Sequence, residues 1–505
     1  MSAAAATARG EAGRAVARLT ADLLARLRRG QRFAGLVAGA LPAGGVRLSA
    51  LVAAPGSLDV LDAELPPGVA SYPSITPVVP AALWYEREIH DLFGLVPVGQ
   101  PRLNPLVWPL PHDTATRPVP GRPGCPPRLE PDHREIPAYV AGHGLFTIPH
   151  GPVRSGVFES VEYLVETPGE DIPHVHIRPY YKHRGLEKRF EGMPAADGVL
   201  LAERVEGIAS VAHALAYAHA LESLTDVQVP LGGQLVRLLH AELERLANHL
   251  DVAVRLAEAA GLAVAQARFA LHKERVLRLA GACAGSRFGR GVVVAGGTAA
   301  LPRLGRDDLL HDLDRIQRGV RGDRRALMVT ASFLDRLRGT GPLTPERARL
   351  HGALGPVGRA SGAGDDVRTD RPYDAYRRLP PAPVRQEQGD ALARLNVRWA
   401  EVDDSFRLLR AAVAQLSTLG ADAPTRVPLA GPDGLDGRAV GAAEAPQGEV
   451  VYLVEVRGGQ LSRCKPRSAS FHNLHLFPPV FTGDILTDFP FIEASFGCSV
   501  AGVVS

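Results

Sequence analysis

Between residues 235 and 256 the apolar side chains Val236, Leu239, Leu243, Leu246, Leu250 and Val254 recur at steps of three and four. Only a helix repeats with that period, and this one would run for about six turns. Its apolar stripe has to be buried against other helices. Glu242, Arg245 and His249 occupy further faces of the same helix. Helices are also expected over 200–224, 265–282, 307–338, 345–351 and 390–416, enough to build a bundle. Strand-like runs flank them at 145–149, 156–165, 175–180, 449–457 and 460–465.

The first hundred residues read differently. Val16, Leu19, Leu23, Leu24 and Leu27 place a helix over 11–30. Strand-like runs follow at 33–39 and 46–53, then a helix over 80–93. Residues 111–137 are crowded with Pro, Gly and charge, as in a linker or a strap across a partner surface. The expected fold is α+β: a small α+β domain over 1–111, a Pro-rich connection over 112–141, and a mainly helical domain with peripheral strands over 142–505.

Charge and cysteine usage exclude several functions. Against 54 acidic residues stand 57 basic ones, a net charge of +3, which is no signature for nucleic acid. Cys125, Cys283, Cys464 and Cys498 form no C-x-x-C pair and no disulfide scaffold. Cys283 lies in an apolar helical run and reads as core. The most apolar stretch, 33–56, is interrupted by Pro42, Arg47 and Pro55, so no membrane span is expected. The first twenty residues carry Arg and Glu where a signal peptide needs an apolar core. No G-x-G-x-x-G follows a strand, opens a helix and has an acidic residue after it, so no nicotinamide site is expected.

Two sets of motifs resemble adjacent subunits of complex I and of the energy-converting nickel–iron hydrogenases. WYEREIHDLFGL at 84–95 resembles the E-R-E-x-x-D-x-F-G-I signature of the small accessory subunit. IPHGPVRSGVFES at 148–160, YKHRGLEKRFEG at 181–192, AELERLANHLD at 241–251, GSRFGRG at 285–291, GDALARLNVRWAEVDDS at 389–405 and DFPFIEASFGCSVAG at 488–502 resemble the large subunit, in family order. The fused layout resembles large subunits of the hydrogenase-3, hydrogenase-4 and formate hydrogenlyase type. The resemblance implies a hydrogenase-large-subunit-like fold in a membrane-associated oxidoreductase complex.

The family's nickel–iron site takes four thiolates from two C-x-x-C pairs. Its first pair lies in R-x-C-G-x-C, and here that segment is Arg204-Val205-Glu206-Gly207-Ile208-Ala209. The tail at 495–502 resembles the S-F-N-L-S-Y-x-G ending of metal-free relatives, with Cys498 at an apolar position. The resemblance therefore implies no metal and no cofactor on this chain, and an iron–sulfur cluster in a partner. The quinone-binding His and Tyr of complex I align with Ser155 and Gly207, so quinone reduction would need an atypical pocket. Arg154 stands where hydrogenase relatives have His. Arg204 matches an arginine near the partner's cluster, and the second group near that cluster aligns with Gly289. Arg154, Arg204, Glu206, His213, Arg287 and Asp488 are the candidates for one cavity or interface. Arg204 and Glu206 are expected to share a buried cavity, with Glu206 in a turn at the head of a helix. An ion pair of Glu206 with Arg154 or Arg204 is the structural reading of the same residues.

Two histidine groups have simpler readings. His174, His176 and His183 fit a family turn more than a metal site. His240 and Glu244, four apart on a helix, read as a solvated or inter-subunit polar pair. The implied partners are a small iron–sulfur subunit and a membrane arm of antiporter-like and anchor subunits. The implied place is the cytoplasmic face of the cell membrane, held peripherally. The alternative is a scaffold with no redox role.

Overall fold

The computed structural model describes residues 3–109, 119–120, 140, 142–154, 159–429 and 435–504. Most of the Pro-rich connection and Cys125 lie outside them. The chain opens with helix α1 (Ala3–Arg28), whose Val16, Leu19 and Leu23 are buried. Strands β1 (Arg32–Ala40), β2 (Val46–Ala54) and β3 (Ser57–Leu65) form an antiparallel meander. A short parallel pair, β4 (Ser71–Pro73) with β5 (Val96–Val98), brackets helix α2 (Leu83–Phe93).

Helix α2 explains the charged signature at 84–95. Glu86 accepts from Ile75 N at 2.8 Å and from the Thr76 hydroxyl at 2.6 Å. Arg87 donates to the carbonyls of Asn104 and Pro105 at 2.7 and 2.9 Å. Asp91 accepts from the backbone N–H groups of Leu106, Val107 and Trp108. Three of the motif's charged groups thus tie down flanking chain that would otherwise bury unpaired backbone. Glu88 reaches outward and accepts from Lys465 Nζ at 2.6 Å, across to the larger part of the molecule.

An antiparallel sheet of β6 (Phe146–His150), β7 (Glu162–Thr167) and β8 (His174–Arg178) follows. The residues 156–158 of the expected 156–165 strand lie outside the described residues, and pairing begins at Glu162. The large helices are α3 (Ser210–Thr225), α4 (Leu231–Ala259), α5 (Ala263–Ala284), α6 (Arg306–Leu327) and α7 (Ala391–Leu416). The buried Leu, Val and Phe side chains of α4 to α7 form one cluster with Trp399 and Cys283. Each such side chain contributes about 1.5–3 kcal/mol. A third antiparallel sheet, β9 (Gly437–Ala445), β10 (Gly448–Arg457) and β11 (Gln460–Arg467), backs α3. Val451 and Leu453 of β10 pack against Ala34, Val37 and Leu51 of the first meander. The tail runs through α8 (Phe489–Phe496) and is buried from Ser499 to Val504. No described helix is long and apolar enough to cross a membrane.

Two expected helices are broken. The one over 200–224 divides at 203–209 into a short helix, a turn and α3. The one over 307–338 ends at Leu327 and restarts at Ala331 after Met328, Val329 and Thr330. Apolar periodicity carries across both breaks and hides them.

Candidate functional site

The turn before α3 places Glu206. Ala209 N donates to the Glu206 carbonyl at 3.1 Å, and the helix starts at Ser210. Gly207 is not in the left-handed region, so its freedom is not what makes the turn. Glu206 is 1% exposed. One carboxylate oxygen accepts from the Ser470 hydroxyl at 2.6 Å, and the other lies 3.1 Å from His213 Nε2. His213 Nδ1 is 2.9 Å from the Tyr452 hydroxyl. His213 and Tyr452 are fully buried. Burial, then Cys464 and other neighbours, holds the Tyr452 phenol well above its ordinary range.

The C-terminal segment closes this site. Ser499 N donates to Ser470 at 3.0 Å, and a Cβ on Gly502 would meet Glu206 Cδ at 2.7 Å. Glu159 accepts from the Ser499 hydroxyl at 2.6 Å and holds the same tail. Arg184 donates to the carbonyls of Arg204 and Ala501, at 3.0 and 2.8 Å, pinning the turn to the tail. Cys498 lies against Ser470, and burial pushes its thiol up to about 12.

The geometry admits two proton states. With Glu206 ionised, His213 Nε2–H donates to it and Nδ1 accepts from Tyr452. After uptake of one proton, Glu206 donates to Nε2 and Nδ1–H donates to the tyrosine oxygen. No heavy atom has to move.

The six candidates do not share one cavity. Glu206 and His213 come together as above. Arg204 is half exposed, bonds to Glu203 at 2.5 Å and points away from Glu206. Arg154 pairs with Glu493 through two bonds of 2.7 and 2.9 Å and lies 5.0 Å over the Tyr163 ring. Neither arginine pairs with Glu206. Arg287 is half exposed and paired with Glu274. Asp488 lies 3.4 Å from Arg336, apart from the other five. Ser155 lies outside the described residues.

Sequence reasoning missed Arg184, Ser470 and Tyr452 as members of the site. Arg184 stands in a quoted family motif and was readable; the other two carry no local signal. The expected His240–Glu244 pair does not form a hydrogen bond. Glu244 instead accepts from Val211 N and Ala212 N, at 2.7 and 3.1 Å, capping α3. His183 packs edge-on against Trp108, with ring centroids 6.0 Å apart. Among the described residues no group of three or more His, Cys, Asp or Glu is arranged to hold a metal.

Comparison with known proteins finds two families along the chain. The family described as respiratory-chain NADH dehydrogenase, 49 Kd subunit, matches residues 263–429 and 426–504. The 30 Kd subunit family matches residues 58–123. Formate hydrogenlyase subunit 5 of Escherichia coli is 31% identical over 444 residues, 84% of this chain and 75% of that protein. The carbon monoxide-induced hydrogenase of Rhodospirillum rubrum is 31% identical, over 69% of this chain and 96% of its own length. The fused C/D 2 polypeptide of the NADH-quinone oxidoreductase of Aquifex aeolicus is 26% identical over 82% of this chain and 81% of its own. A chain of the membrane-bound sulfane sulfur reductase, an archaeal respiratory membrane complex, shares the fold. Its TM-score is 0.67 at 22% identity, covering 73% of this chain and all of that one.

Proposed function

This chain belongs to the family of complex I-like and membrane-bound hydrogenase large subunits with a fused 30 Kd-type domain, and from that premise we propose its working role. It is a subunit of a membrane-associated oxidoreductase complex. In our reading it carries no nickel–iron centre of its own. It docks a small iron–sulfur subunit through the face around Arg204 and Arg287. It lies peripherally on the cytoplasmic face of the membrane, against an ion-translocating arm with antiporter-like and anchor subunits.

One observation carries the loss of the metal. Glu206 stands at the position of the family's first sulfur, and its oxygens are taken by Ser470 and His213 under a tail that closes on Gly502. A nickel–iron group asks for four soft thiolates. A carboxylate, Ala209 and the lone Cys498 do not supply them, so no step runs through such a group. What remains is a buried carboxylate and imidazole whose geometry accommodates the uptake of one proton. A charge change there, as the partner cluster is reduced, would couple electron transfer to ion movement.

Elemental analysis of the purified chain tests the reading, with no stoichiometric nickel expected. Stoichiometric nickel would overturn it. The scaffold reading also has an observation behind it, because Glu206 is almost wholly covered. An unchanged turnover rate of the assembled complex with Glu206→Gln would favour the scaffold.

A further inference from the structure

On the far side of the first turn of α3 lies a second, separate cavity, between α4, α5 and the 285–291 turn. Its volume is about 90 Å³, and it opens to the surface beside Arg287 and Phe288. Ile208, Val211, Leu243 and Val276 give it apolar walls. His240 lies in its wall, 2% exposed, and neither ring nitrogen has a hydrogen-bond partner. Glu244 is one helical turn further along the same face of α4. The turn that closes the cavity requires glycine at 289. Its φ is +63°, and a Cβ there would meet Val211 Cγ2 at 2.5 Å.

A buried imidazole with two idle nitrogens loses the hydrogen bonds it had in water, at about 1–3 kcal/mol for each unsatisfied group. Water relieves that cost where the site is polar and roomy enough. The cavity is roomy enough to hold ordered water. His240 and the Glu244 carboxyl give it the two to four polar partners that an internal water needs.

We propose that this cavity is a hydrated proton-binding site, in which ordered water joins His240 to Glu244 and opens both to bulk solvent. A proton arrives as hydronium, leaves a water behind, and adds to the Glu244 carboxylate. The neutral His240 imidazole hydrogen-bonds the water and holds it beside the carboxyl. No other bond changes. The site shares no hydrogen bond with Glu206, which acts on it only through its charge.

The surrounding charges suit such a site. Asp251 and Lys273 line the cavity and neutralise each other at 2.6 Å. Arg287 at the mouth is paired with Glu274. Burial raises the Glu244 carboxyl to about 8, with Arg245 lowering it and Glu206 behind the turn raising it. Burial holds His240 down at about 4. The site therefore gains or loses its proton just above neutral pH.

Infrared difference spectroscopy of the full chain, titrated from about pH 5 to about pH 10, tests this. The expected result is a protonated carboxyl band that disappears with a midpoint near pH 8 and is absent in Glu244→Gln. His240→Leu and Ala280→Leu, the second filling the cavity, should each raise the midpoint by about one pH unit or more. Should His240→Leu fail to fold, as judged by circular dichroism, Ala280→Leu carries the test alone. A Glu244 ionised across the whole range overturns the proposal. A midpoint unmoved by the folded variants does the same.

Discussion

Glu187 and Glu206 are both buried carboxylates, and the chain satisfies them in opposite ways. Glu187 meets two full cations, Lys465 at 2.7 Å and Arg463 at 2.5 Å, and Lys465 also holds Glu88 of α2. Burial pushes the Glu187 carboxyl up, but Arg463 and Lys465 together pull it below its ordinary value. Glu206 meets a hydroxyl and an imidazole, with no arginine or lysine in ion-pair contact among the described residues. A carboxylate held by two cations keeps its charge at any ordinary pH. The first is a lock between the N-terminal unit and the large one, and the second is a buried carboxylate held without a lysine or arginine.

The lock breaks most severely. Lys465→Met leaves Glu88 without its cation and Glu187 with one, and should lower unfolding stability by about 3–5 kcal/mol. Denaturant unfolding checks it, and a loss under about 1 kcal/mol would put the lock in doubt.

Acid should strain the molecule next. Burial holds His240 and His249 at about 4, below the ordinary 6.5. The folded chain therefore binds protons less readily than the unfolded one. The contribution of these two histidines is complete above about pH 6.5 and falls as the pH drops towards 4, while the raised Glu244 carboxyl acts in the opposite sense between about pH 4.5 and about 8. Thermal unfolding across that window measures the fall, and His240→Leu should flatten part of it.

At the Glu206 site the effects are smaller. His213→Leu deprives Glu206 and Tyr452 of one partner each and should cost about 1–3 kcal/mol. Glu206→Gln keeps the shape and should stay within about 1 kcal/mol while altering proton-coupled turnover of the complex. Equal stability losses in Glu206→Gln and Lys465→Met would erase the contrast between the two regions.

The smallest effect belongs to the exposed arginine. Arg204→Met should leave stability within about 0.5 kcal/mol, because the side chain is half exposed. It should still lower the potential of the partner's cluster, measured by redox titration of the assembled complex.

Local pattern settled the elements with strong periods. α4 was readable from six apolar residues, and α2 from its apolar face and charged flanks. β3 and β9 were not read as strands. β3 mixes Asp59, Asp62 and Glu64 into its alternation, and β9 is largely Ala and Gly. β9 exists because α3 lies on it so closely that a Cβ at Gly441 would meet the Ala216 carbonyl at 2.2 Å. That requirement belongs to the packed pair and has no trace in the strand's own propensity.

The same limit governs the site. The chain by itself determined that its four cysteines form no C-x-x-C pair. Tertiary structure alone decided which partners Glu206 would have. Ser470 is 264 residues away from it, Tyr452 is 239 from His213, and Ala501 is 317 from Arg184. Arg154 and Arg204 were nearer in motif order, yet each found another carboxylate. A hydrogen bond depends on a few ångströms and an angle, and only the closing of the tail over α3 and β10 sets those.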